Sequence, residues 1–143
     1  MGDLDGEDAQ VRRFCKDSGV VIVSVDFCLA PANPYPKPLD DCVKAFYWVL
    51  ENSQVLGAKE GKVVVIGTSA GGNLALSTAL KVIDQGKGES LGGVMALVPC
   101  TVAREAVPEK WKGRYTSYEE HAEHTVNTTR AMDMFFGESY GSG

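Results

Sequence analysis

Apolar positions along this chain recur with two different periods. Val63, Val64, Val65 and Ile66 form an unbroken β-branched run, which predicts a strand covered on both faces. Beyond it, Leu74, Ala75, Leu76, Ala79, Leu80, Val82 and Ile83 predict a helix over Asn73–Ile83 that is apolar nearly all round and therefore buried. Upstream, Leu39, Cys42, Val43, Phe46, Val49 and Leu50 share one face of a helix that Pro38 opens and that runs to about Asn52. Val11, Phe14 and Cys15 sit at helical spacing within Glu7–Ser18, and Gly19 supplies the stop. Two further apolar stretches, Val20–Val25 and Leu91–Val98, predict strands; Gly92 and Gly93 weaken the start of the second.

The segments between these elements break regular structure. Asp26–Pro38 holds four prolines and must be irregular. A loop around Gly57–Gly61 precedes the Val63 strand, and Gly86-Lys87-Gly88 follows the buried helix. Strands alternating with helices give an α/β fold with a parallel sheet flanked by helices. The character changes after Cys100. Trp111, Tyr115 and Tyr118 lie in a polar stretch, where Ser117 and Glu120 have the spacing of a capping box. Thr128–Phe136 reads as a short helix offering Ala131, Met132, Phe135 and Phe136 for burial, and Gly137–Gly143 reads as a frayed tail. The division is a core over 1–106 and a helical segment over 107–143.

At 143 residues, the chain has the length of one domain with one core. A net charge of −5 gives no electrostatic case for nucleic acid or an anionic membrane. No apolar run approaches spanning length, and the acidic stretch Met1–Gln10 has no signal-peptide pattern. Cys15, Cys28, Cys42 and Cys100 show no C-x-x-C spacing. They read as buried free thiols of a cytoplasmic protein, neither a disulfide framework nor a metal site.

The junction of the Val63 strand with the following helix carries the chemistry. Gly67-Thr68-Ser69-Ala70-Gly71 is a G-x-S-x-G pentad. Between a strand and a helix, this pentad is a nucleophile elbow, which holds the serine at a tight turn. Gly67, Gly71 and Gly72 surround Ser69 because side chains there are expected to collide with the neighbouring strand or helix. Ser69 is the expected nucleophile. Helix N-terminal N–H groups favour developing negative charge, and the Ala70 N–H is the expected oxyanion donor. A phosphate loop needs a lysine after its last glycine, where this chain has Asn73.

Two motifs resemble the hormone-sensitive-lipase-like branch of the α/β-hydrolases. One is the elbow, Gly67-Thr68-Ser69-Ala70-Gly71-Gly72-Asn73 followed by Ala75. The other is Asp26-Phe27-Cys28-Leu29-Ala30-Pro31-Ala32, then Tyr35-Pro36 and Asp41-Cys42-Val43-Lys44-Ala45. The likeness runs from about Gly2 to Cys100 and more loosely to Phe136. It implies a partial α/β-hydrolase fold, a carboxylic ester hydrolase working through an acyl-serine, a small-molecule ester substrate and no cofactor. It also implies that 107–143 is a cap or insertion. Cys28 and Ala32 replace the arginine and glutamate of the second motif, so the resemblance implies no ion pair there.

The family's H-G-G-G oxyanion loop is expected before residue 1, and its catalytic Asp and His after the Leu91–Val98 strand. Both are missing from this stretch, which leaves the general base and its orienter unknown. His121 and His124 are the only histidines. They read as a solvated helix face, with Asp84 or Asp133 as weak candidate orienters, and Glu120, His121 and His124 supply too few ligands for a metal. Hydrolysis by this polypeptide is therefore expected near background. A non-catalytic module that binds a small molecule, as gibberellin receptors of the same branch do, or a truncated gene product is the alternative. The family also places a strand between Val20–Val25 and Val63–Ile66, so unpaired edges, marginal stability and self-association are expected.

Overall fold

The computed structural model describes residues 4–59, 61–123 and 127–140. Two helices open the chain, α1 (Leu4–Ser18) and α2 (Lys37–Glu51). A strand-helix-strand unit follows: β1 (Val63–Thr68), α3 (Ala70–Asp84) and β2 (Leu91–Leu97). Three helices close it, α4 (Glu109–Lys112), α5 (Ser117–Glu120) and α6 (Thr129–Tyr140).

β1 and β2 pair in parallel, and α3 is the crossover between them, as a parallel pair requires. Val63 is opposite Leu91, but Val64 is opposite Gly93. Gly92 is the extra residue of a bulge, and a Cβ on it would lie 3.2 Å from Lys62 Cβ and 3.4 Å from Val64 Cγ2. The two glycines that weaken the strand in sequence thus let it bend against β1.

The core is the interface of α2, α3 and one sheet face. Leu39, Val43 and Phe46 of α2 meet Ala75, Thr78, Ala79 and Val82 of α3, all buried. The α2 set recurs at i, i+4 and i+7 and the α3 set at i, i+3, i+4 and i+7, each the spacing of one helical face. Polar contacts tie the rims: Lys81 Nζ lies 2.9 Å from Asp40 Oδ1, and Tyr47 OH donates to Gln85 Oε1 at 2.6 Å.

Several expectations are corrected. Val20–Val25 forms no strand; a strand is a ladder, and this segment has no ladder partner among the described residues. α3 is buried on one face only, with Leu80 63% and Ile83 52% exposed, because α2 and the sheet cover a single side. The other sheet face is bare as well, where Val64, Ile66, Met95 and Leu97 are all exposed. The cysteines are free but only partly buried. Ser117 is the first residue of α5 and not its cap. Thr116 holds that place, with no side-chain cap bond among the described residues. The tail is helical through Tyr140, and 141–143 lie outside the described residues.

The closing segment packs back onto the rest of the chain. Val107 and Phe136 are buried. The Tyr35 N–H donates to Ser139 O at 2.8 Å, and Arg104 Nη2 lies 3.8 Å from Asp133 Oδ2.

Candidate functional site

Ser69 stands between the last residue of β1 and the first of α3, with φ 56° and ψ −116°. A non-glycine residue in that region is strained, at about 1–3 kcal/mol. Serine is a favoured helix N-cap because its hydroxyl takes a free helix N–H. Here it makes no cap bond among the described residues, and the residue is exposed. Its hydroxyl is not spent on closing the helix. The first intrahelical bond runs from Asn73 N–H to Ser69 O at 3.1 Å. The N–H groups of Ala70, Gly71 and Gly72 precede that ladder, at the positive end of the helix dipole.

The three glycines are not equivalent. A Cβ at Gly67 would lie 2.9 Å from Gly72 N and closer still to the Gly71 carbonyl. One at Gly72 would lie 3.1 Å from Leu97 O, 3.2 Å from Gly67 O and 3.2 Å from Pro99 Cα. These two let strand and helix meet. A Cβ at Gly71 would meet nothing within 4 Å among the described residues, which corrects the collision expected there. Thr68 is exposed and pairs with Leu97 across the ladder.

Ser69 is stitched to the end of β2. Its N–H donates to Leu97 O at 2.9 Å, and its carbonyl accepts from Cys100 N–H at 3.4 Å. Its Oγ lies 3.5 Å from Cys100 Sγ. The sequence gives no sign of this partner. Cys100 reads there as an isolated thiol, and only the parallel register brings it beside residue 69. Between the stitches Val98 has φ 41°, an outlier for a β-branched residue.

Two tyrosines flank the loop after β2. Tyr115 OH donates to Val102 O at 2.9 Å, and the Tyr115 and Tyr118 rings are 5.7 Å apart. Both phenols are raised above their ordinary value, first by burial and then by neighbouring groups that include Cys100. Tyr118 OH is buried with no hydrogen-bond partner among the described residues.

The candidate base and orienters are not brought to Ser69. His124 lies outside the described residues. His121 is exposed at the end of α5. Asp84 is the last residue of α3, about 20 Å along the helix axis from Ser69. Asp133 faces Arg104. No group of three or more metal-ligating residues occurs among the described residues.

The second motif is joined by a contact unforeseen in the sequence. Cys28 N–H donates to Asp41 Oδ2 at 3.2 Å. The Cys28 thiol is raised chiefly by its hydrogen bond to Asp41, and the same bond lowers the Asp41 carboxyl. Cys28 therefore ties the irregular segment to α2 at the position where the resemblance has arginine. Burial pushes the adjacent Cys42 thiol up to about 11. A groove of about 660 Å³ runs between residues 23–26 and the Lys44–Glu51 side of α2, and it touches none of the elbow residues. No helix among the described residues is long and apolar enough to cross a membrane.

Residues 1–142 match the sequence model of a family described as alpha/beta hydrolase fold. The chain is 47% identical over 135 residues to the FAD-linked oxidoreductase pytB of Aspergillus terreus, a match covering 94% of this chain and 16% of that protein. It is 43% identical over 136 residues to versiconal hemiacetal acetate esterase of Aspergillus parasiticus, covering 95% of this chain and 42% of the esterase. Among solved structures, vibralactone cyclase matches with a TM-score of 0.92 at 27% identity, over 99% of this chain and 42% of the cyclase. The chain spans less than half the length of these proteins.

Proposed function

Because this chain belongs to the α/β-hydrolase fold family, we propose that it carries the nucleophile of a carboxylic ester hydrolase. The observation that supports this is the strained backbone of Ser69 at the β1–α3 turn, with a hydroxyl unspent on capping. Ser69 Oγ attacks the carbonyl carbon of a small-molecule ester. The Ala70 N–H receives the developing oxyanion, and Gly67, Thr68, Gly71 and Gly72 form the elbow around it. Collapse of the tetrahedral intermediate expels the alcohol and leaves an acyl-serine, which water hydrolyses. The esterase relative supports an ester as substrate. No cofactor enters this chemistry.

A serine hydroxyl needs a base to take its proton. Cys100 is the side-chain partner of Ser69 Oγ among the described residues, and a thiol is only a weak hydrogen-bond acceptor. Turnover by this polypeptide is therefore near background. The test is p-nitrophenyl butyrate hydrolysis, with fluorophosphonate labelling read on the Ser69 peptide, in the parent chain and Ser69→Ala. A low rate and an adduct, both lost in the variant, are expected. Equal rates and no adduct would overturn the proposal. They would instead favour a non-catalytic module that binds a small molecule, a reading that the thiol partner of Ser69 supports.

Three further readings belong to this proposal. Residues 1–106 act as a partial core, and 107–143 as a cap-like segment over the loop after β2. The bare sheet face and the open edge of β1 among the described residues support self-association. Four free cysteines suit the cytoplasm.

A further inference from the structure

We propose that Cys100 is a positioning residue for Ser69: its thiol holds the serine hydroxyl on the β2 side of the elbow. The inference rests on the reading of Ser69 as nucleophile, but its geometry stands apart from any turnover.

The backbone between the two residues is built to bring the thiol there. Leu97 O accepts the Ser69 N–H, and the Ser69 carbonyl accepts the Cys100 N–H. Three residues after Leu97, the chain has thus turned back onto the residue that Leu97 binds. Val98 makes that turn at φ 41° with 78% of its surface exposed. Burial of its side chain does not compensate the strain, so the two stitches to Ser69 must hold the bend. Pro99 then restricts the chain before Cys100. From the helix side, Gly72 is pressed against this bend, since a Cβ there would lie 3.1 Å from Leu97 O and 3.2 Å from Pro99 Cα. From the far side, Tyr115 OH grips Val102 O at 2.9 Å. A loop held at three places delivers Sγ to 3.5 Å from Oγ.

A thiol suits this task. It is a weak donor and a weak acceptor. It can bias the serine rotamer without competing with a base for the proton, as a carboxylate or amide there would. The long C–S bond spans the gap. A hydroxyl at position 100 would have to reach farther, since O–H···O bonds have an optimum near 2.7–2.8 Å.

The test reads the serine rotamer and its reactivity separately. Three-bond Hα–Hβ couplings of Ser69 are measured by NMR in the parent, Cys100→Ala, Cys100→Ser and Tyr115→Phe. The expected result is one fixed rotamer in the parent, averaging in Cys100→Ala, and partial recovery in Cys100→Ser. Tyr115→Phe, which keeps the ring and loses only the grip on Val102, is expected to average in part. Amide shifts of α2 and the second half of α3 report that each variant is folded. The fluorophosphonate labelling rate of Ser69 is expected to fall about two- to tenfold in Cys100→Ala, the scale of one hydrogen bond. Unchanged couplings in a folded Cys100→Ala would overturn the inference, whatever the labelling does. Absence of labelling in the parent would count against Ser69 as nucleophile, and the couplings would still decide the role of Cys100.

Discussion

At the scale of single residues, strain and contact at the elbow separate positions that look alike in the motif. Gly67 is needed because its missing Cβ is filled by the backbone of Gly71 and Gly72, and backbone cannot swing aside as a side-chain tip can. Gly71 meets no such obstacle among the described residues and has helical neighbours. Alanine there exchanges a poor helix former for the best one. Gly67→Ala is therefore expected to destabilise the chain severely or prevent folding. Gly71→Ala is expected to be neutral or to stabilise it by up to about 1 kcal/mol. Urea unfolding of the two variants checks this, and equal losses would mean that the elbow is shaped by something other than the Gly67 approach. Ser69 and Val98 are the complementary case. Both are non-glycine residues at positive φ that follow the ends of neighbouring strands, and the bonds of Ser69 to Leu97 O and Cys100 N–H bracket Val98 and hold the two bends against each other.

Among the elements, α3 ties the molecule together, since it crosses from β1 to β2 and packs on α2. Its buried face includes Thr78, 1% exposed, whose Oγ1 has no hydrogen-bond partner among the described residues. A buried hydroxyl without a partner costs about 1–3 kcal/mol. Thr78→Val keeps the branched shape and removes the orphan oxygen. Its expected effect is a gain of about 1 kcal/mol, read as a higher denaturation midpoint at unchanged slope. A loss of stability would mean that the hydroxyl finds a partner in solution. The sequence of α3 reads as apolar all round, yet Leu80 and Ile83 remain at the surface. Periodicity reports which side chains prefer burial, while the supply of covering layers decides which of them are buried.

For the whole molecule, the same shortage of cover governs behaviour. Among the described residues, a two-stranded parallel sheet leaves an open edge on β1 and a bare face bearing Val64, Ile66, Met95 and Leu97. Such surfaces promote association between chains. Sedimentation of the purified chain is expected to depend on concentration across the micromolar range. Ile66→Lys, which places a charge on the bare face, is expected to shift it toward monomer. A parent chain that stays monomeric and melts cooperatively above about 60 °C would oppose the proposal.

The sequence alone determined helices α1, α2, α3, α5 and α6, the parallel β1–α3–β2 unit and the serine at its turn. Each of these follows from near neighbours: a period of 3.6, a β-branched run, glycines around one serine. Contacts between distant positions were decided only by the tertiary structure. Val20–Val25 has strand-forming residues but gains no ladder partner among the described residues, and a ladder is a property of two segments. The register of β1 on β2 puts Cys100 at Ser69 and bends Val98, and the packing of the proline-rich segment on α2 gives Asp41 the Cys28 amide. Composition and spacing carry no record of such pairings, because hydrogen bonds across a sheet or between packed elements depend on where two stretches of chain meet.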